Sequence, residues 1–148
     1  MNNEQTVKSK STEDLTRELQ FKRQSLCDYL DQNPDSFIEI DLKELWHKLI
    51  ADSGMTKFDI INKADFGYAY FYDVINGRKI PSRDKVVRLI LAMHLTLADC
   101  QLMLKFSGHS VLYPRIKRDS ILIYVLSHGL SILETQKLLT AQGLGTLK

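Results

Sequence analysis

The stretch from Tyr68 to Asn76 concentrates side chains that recognise another molecule without reacting with it. On a helix, Tyr68, Ala69, Tyr72, Asp73 and Asn76 share one side, while Phe71 and Val74 fall on the other. Tyrosine hydroxyls can bind phosphate oxygens, an alanine methyl can meet a thymine methyl, and a carboxylate can accept from cytosine N4. Lys57 upstream, and Arg78, Lys79 and Arg83 downstream, add cations for phosphates. The commonest base readers, Arg for guanine and Asn or Gln for adenine, are nearly absent from this face, and Asp73 is an electrostatic cost beside phosphates unless it finds a donor.

Each of these residues has a plainer reading. Tyr68, Tyr70, Phe71 and Tyr72 crowd one short segment, and clustered aromatics are more often core or protein interface than base stackers. Arg83 precedes Asp84, and Arg118 precedes Asp119, at the start of helical patterns, which fits caps and salt bridges with phosphate contact by Arg83 as the secondary role. Arg78 and Lys79 lie in a Gly-Pro loop and are the strongest phosphate candidates, although a basic turn can be only a solvated one.

Catalytic readings find little support. His47, His94, His109 and His128 never fall in a metal-ligand spacing with Cys or carboxylates, no glycine-rich phosphate loop occurs, and neither Cys27 nor Cys100 has a neighbouring His. The sequence therefore predicts neither an enzyme nor a bound metal or cofactor. Two distant cysteines do not make a disulfide framework. The polar stretch Met1–Lys10 contains no apolar run and no later segment is long enough to span a bilayer, so a soluble cytoplasmic protein without membrane contact is expected.

The chain has 148 residues, 44% of them apolar and 26% charged, enough for a sizeable core. Its net charge of +2 is unevenly placed. Residues 1–40 carry five Lys/Arg against eight Asp/Glu, and residues 41–148 carry fifteen against ten, so a charge of −3 is followed by one of +5. From Thr56 to Arg88 the basic residues outnumber the acidic ones by seven to four. That asymmetry favours a polyanion partner of modest affinity.

The elements that must carry these residues read as helices throughout. Asp41 with Glu44, Thr56 with Asp59, Thr96 with Asp99 and Ser131 with Glu134 have the spacing of capping boxes, and Leu42, Leu45, Trp46, Leu49 and Ile50 form one apolar helical face. Ser11–Asp14 opens a polar helix expected to run to about Asn33, with Leu15, Leu19, Leu26, Tyr29 and Leu30 on one side as a candidate dimer seam or fold-back surface. Phe37–Ile40 alternates like a strand but has no partner strand, so it is expected to be a linker lying on the core.

The second half contains an internal repeat. Arg83-Asp84, Leu91, Leu95, Gln101, Leu104 and Gly108 recur 35 residues later as Arg118-Asp119, Leu126, Leu130, Gln136, Leu139 and Gly143. Residues 82–108 and 117–143 therefore read as two copies of one helical hairpin, either simply packed together or with the second serving as a dimerisation or partner surface.

The tight succession of short helices between Leu42 and Leu104, broken at Gly54-Met55-Thr56 and at Asp65-Phe66-Gly67, is the pattern of a helix-turn-helix. Leu45–Leu104 resembles the superfamily of phage Cro and repressor proteins, also called the xenobiotic-response-element (XRE) family. The matching landmarks are the Gly54-Met55-Thr56 turn, the apolar positions Ile60, Ile61, Ala64, Phe66, Phe71 and Val74, the loop Asn76-Gly77-Arg78-Lys79-Ile80-Pro81-Ser82, and Leu89, Leu95 and Leu102. The resemblance implies an all-α chain: an N-terminal arm over 1–40, a five-helix DNA-binding domain over 41–108, and a C-terminal hairpin over 109–148 in the same compact unit. It further implies a transcriptional regulator, dimeric on a two-fold site, whose Tyr68–Asn76 helix enters the major groove of double-stranded DNA. The alternative is an adaptor that keeps this scaffold and docks a protein partner through the Tyr-rich helix.

Overall fold

The computed structural model describes residues 9–148, and residues 1–8, most of the polar N-terminal stretch, lie outside the described residues. Nine α-helices and no strand occur among the described residues, so the chain is all-α. None of these helices is long and apolar enough to cross a membrane. Two compact units divide at Glu39 and Ile40.

In the N-terminal unit the single helix expected to reach Asn33 is two, α1 (Thr12–Phe21) and α2 (Leu26–Gln32). Lys22 turns to an extended conformation, and Ser25 opens a new helix by accepting from the Asp28 N–H at 3.1 Å. The break divides the leucine stripe between two helices, and the stripe is not folded back into a core. Leu19, Leu26 and Leu30 are exposed, and the buried positions are Tyr29, Glu18 and Asn33. Glu18 is held by Lys10 Nζ at 2.6 Å and by the Asn33 amide at 3.2 Å, so the unit centres on a polar cluster. A 3-10 turn over Pro34–Ser36 follows, and Phe37 packs edge-on against Tyr29. Phe37–Ile40 has no regular secondary structure and is not a strand, yet Phe37, Ile38 and Ile40 are largely exposed instead of lying on a core.

The second unit comprises α3 (Leu42–Ser53), α4 (Lys57–Ala64), α5 (Tyr68–Ile75), α6 (Arg83–Ala92), α7 (Leu97–Phe106), α8 (Lys117–Ser127) and α9 (Ile132–Ala141). Its caps follow the sequence closely. Thr96/Asp99 and Ser131/Glu134 form reciprocal boxes, while Asp41 and Thr56 each accept the N–H three residues on without the return bond. Burial of apolar side chains supplies the driving force, with Trp46, Ile60, Phe71, Val87, Ile90, Met103 and Leu122 in one continuous core. Leu102, expected inside, is 39% exposed, and its neighbours Met103 and Leu104 point inward in its place.

The 35-residue repeat is a repeat of structure. α6–α7 and α8–α9 are equivalent hairpins, α6 packs on α9, and α7 packs on α8. Arg83 forks onto Asp119 with both bonds at 2.8 Å, and Arg118 forks onto Asp84 at 2.9 and 2.8 Å. Each arginine therefore pairs with the other copy's aspartate. The remaining bonds match in the same register: Arg83 reaches the Ser110 and Val111 carbonyls, and Arg118 reaches those of Gly145 and Thr146. Gln101 makes two bonds with the Leu112 backbone, and Gln136 makes the same two with Leu147. Such reciprocity is that of a local two-fold axis. A translational stack would leave one arginine and one aspartate unpaired at its ends, so this arrangement closes on itself.

Asp119 is 1% exposed. Burial pushes its carboxyl up, but the Arg83 guanidinium and the Tyr113 N–H outweigh that and hold it below the ordinary value of 3.8. Asp119→Asn leaves Arg83 facing a neutral amide and is expected to cost about 2–3 kcal/mol in urea unfolding, more than Asp84→Asn, whose position is wetter. Because the native value is depressed, the stabilisation is present above pH 3.8 and is lost as pH falls through the native value. The Asn variant is expected to lack that part of the acid sensitivity.

Candidate nucleic-acid interface

α4 and α5 are joined by Asp65, Phe66 and Gly67, a turn held from outside. Asp65 takes φ +55°, the Phe66 N–H donates to the Ile61 carbonyl, and Arg88 of α6 donates to the Ala64 carbonyl at the end of α4. A cation on those terminal carbonyls also opposes the negative end of the helix dipole. The orientation of α5 relative to α4 is thus tied to the hairpin repeat through α6.

Helical spacing sorts the aromatic cluster. Phe71, Val74 and Ile75 are buried, whereas Tyr68, Ala69 and Tyr72 face solvent. Tyr70 is half-buried and belongs to the packing: its ring lies 5.5 Å from that of Phe66, and Lys85 Nζ stands 4.2 Å above it. Burial raises the Tyr70 hydroxyl above its ordinary value, with Lys79 opposing. Lys57 Nζ is 5.7 Å from the Tyr72 ring, so the first turn of α4 adjoins the middle of α5.

The downstream loop is built around Asp73. Its carbonyl accepts the Arg78 and Lys79 N–H groups at 2.8 and 3.2 Å, and the Gly77 N–H donates to the Val74 carbonyl, which together close the end of α5 as a Schellman turn. Its carboxylate takes Arg78 Nε at 3.0 Å and Lys79 Nζ at 3.3 Å. The three residues read separately in the sequence are one ion-pair cluster. Both cations stay more than half exposed, and exposed pairs of this kind are worth about 0–1 kcal/mol, so a phosphate can compete for them. Asn76 is half-buried, with Oδ1 3.4 Å from His47 Nε2, and is directed toward α3 instead of outward.

Arg83 is committed elsewhere. Four of the five guanidinium N–H groups are spent on Asp119, Ser110 and Val111, and the Asp119 bond, against the opposing effect of burial, raises its pKa. Its place is the hairpin interface, not the exposed loop. Two further residues, not apparent from the sequence pattern of α5, belong to the surface. Lys85 adds a cation beside α5, and Phe58, 60% exposed, is a further exposed aromatic ring in the first turn of α4. Phe58 was legible as outward, since Ile60, Ile61 and Ala64 already fill the apolar stripe of α4.

The chain matches no protein-family model, no curated protein and no solved structure. The exposed surface therefore stands on its own residues: the rings of Phe58, Tyr68 and Tyr72 and the methyl of Ala69 on two helices, with Lys57, Arg78, Lys79 and Lys85 around them.

Gly77 takes φ +76°, and an added Cβ would stand 3.6 Å from Lys43 Cβ, an ordinary separation. The cost of Gly77→Ala is then conformational. It is expected to be about 1 kcal/mol in thermal denaturation, with the loss localised by hydrogen exchange to the Asp73–Lys79 turn.

Proposed function

We propose that this chain is a DNA-binding transcriptional regulator of the Cro/repressor type, with α4 and α5 as its helix-turn-helix and the outward face of α5 entering the major groove. The observation that carries the reading is the two-sidedness of α5. Its inner side is fully buried, while Tyr68, Ala69 and Tyr72 stand in solvent between cations on the preceding helix, the following loop and α6. Lys57, Arg78, Lys79 and Lys85 hold the DNA backbone, Tyr68 and Tyr72 meet phosphates or bases, and Ala69 lies against a thymine methyl. Asp73 exchanges its two cations for phosphates and is then free to accept from cytosine N4. Arg83 has no part in this set. A two-fold operator with half-sites about one helical turn apart requires the regulator to act as a dimer.

The second reading is an adaptor docking a protein through the same face. Phe58, Tyr68 and Tyr72 form an exposed aromatic surface, and Asp73 neutralises the two nearest loop cations, both of which suit a protein interface.

The two readings part on charge. Selection from a random duplex library, followed by titration at several salt concentrations, is expected to yield a preferred site. Arg78→Glu with Lys79→Glu is expected to weaken binding on the order of tenfold or more and to reduce the salt slope by about 2, one for each phosphate left without its cation. No selected site, together with a protein partner that no longer binds Tyr68→Ala/Tyr72→Ala, would establish the adaptor instead.

A further inference from the structure

The local two-fold makes the outer faces of the two hairpins directly comparable, and they differ. In the first copy Leu89 of α6 is 1% exposed and Met103 of α7 is 0% exposed. That face is covered by the helices preceding it: α4 packs on α6, Arg88 reaches the Ala64 carbonyl, and Lys85 stands on Tyr70. The equivalent positions in the second copy, 35 residues on, are Tyr124 of α8 at 53% and Leu138 of α9 at 37%. With Lys117, Ile121 and Gln142 they line an open groove along the hairpin. A face built to the same plan is thus covered in one copy and bare in the other.

The charges along this groove indicate what covers it. Lys117, Ile121 and Tyr124 form one stripe of α8, while Glu134, Leu138 and Gln142 form one stripe of α9. The helices run antiparallel as a hairpin, so Lys117 and Gln142 mark one end and Glu134 the other. Cation at one end, anion at the other and an apolar centre make the face complementary to itself when turned through 180°. We propose that a second copy of this chain covers it in an isologous dimer, in which Tyr124 and Leu138 of one protomer meet those of its partner and each Lys117 faces the Glu134 across the two-fold. Glu134 remains able to close its cap on Ser131, since a carboxylate accepts more than one bond.

The pairing extends the regulator reading, which calls for two copies per operator, but its test contains no DNA and fails or stands separately. Sedimentation equilibrium of the full chain from low to high micromolar concentration is expected to show a reversible monomer–dimer equilibrium. Tyr124→Glu is expected to raise the dissociation constant on the order of tenfold or more, with the thermal unfolding of the monomer lowered only by the loss of the Tyr124–His128 ring stack. Lys117→Glu and Glu134→Lys are each expected to weaken self-association, whereas a mixture of the two variants restores it, because both ion pairs in the mixed dimer again join opposite charges. A wild-type monomer at high micromolar concentration would overturn the proposal. A dimer indifferent to Tyr124→Glu, or a mixture no tighter than its components, would also overturn it.

Discussion

The exchange of arginines and aspartates between the two hairpins is the constraint on which the rest of the second unit depends. Taking a carboxylate as buried as Asp119 out of water is costly, and the cost is offset only where the geometry is near ideal. Here it is: both forks are bidentate, the backbone N–H of Tyr113 fills a further lone pair of Asp119, and that of Lys148 does the same for Asp84. Ion pairs with such geometry specify an arrangement more than they stabilise it. A hairpin displaced by one helical turn would leave four charges without these partners, so the two-fold register has few competitors.

α5 packs chiefly on α3, and a short chain of interactions links it to that register as well. The apolar positions of α6, Val86, Val87 and Leu89–Ala92, are all buried because the helix packs on α4, on α7 and on α9 of the second hairpin. Arg88 and Lys85 sit on its α4-facing side and reach the end of α4 and the ring of Tyr70. The turn before α5 and the ring of Tyr70 are therefore held by the same helix that opens with Arg83. The surface offered to a partner and the internal two-fold are mechanically one assembly, although no residue is shared between them.

Much of this was legible beforehand, and the limits have physical causes. Caps and apolar stripes are local signals, so α3 to α9 could be placed from spacing alone, and Trp46, Ile60, Phe71 and Val74 are buried as the pattern requires. The repeat was equally visible, because Gln101 and Gln136 or Gly108 and Gly143 stand at fixed separation. The partner of each arginine was not: Arg83 lies beside Asp84 in the chain, and adjacency masks a pairing set by packing between hairpins. The N-terminal unit inverted the usual rule, since Glu18 and Asn33 are buried while Leu19 and Leu26 are exposed, and hydrophobic periodicity cannot register a polar centre. Asp73, Arg78 and Lys79 could each be assigned to the surface, but their mutual pairing arises from the left-handed turn at Gly77, which brings the loop back over the helix end.

The reciprocal pairing also bears on how the chain is made. Synthesis is vectorial, and the first hairpin emerges with Arg83 and Asp84 at its start. Neither has its bidentate partner yet: Arg83 waits for Asp119, and Asp84 waits for Arg118 and for the backbone of Lys148. Until those residues are made, the first hairpin lacks the bidentate bonds that fix its register. Arg118 and Asp119 are neighbours in the chain, so the start of the second hairpin supplies both anchors together.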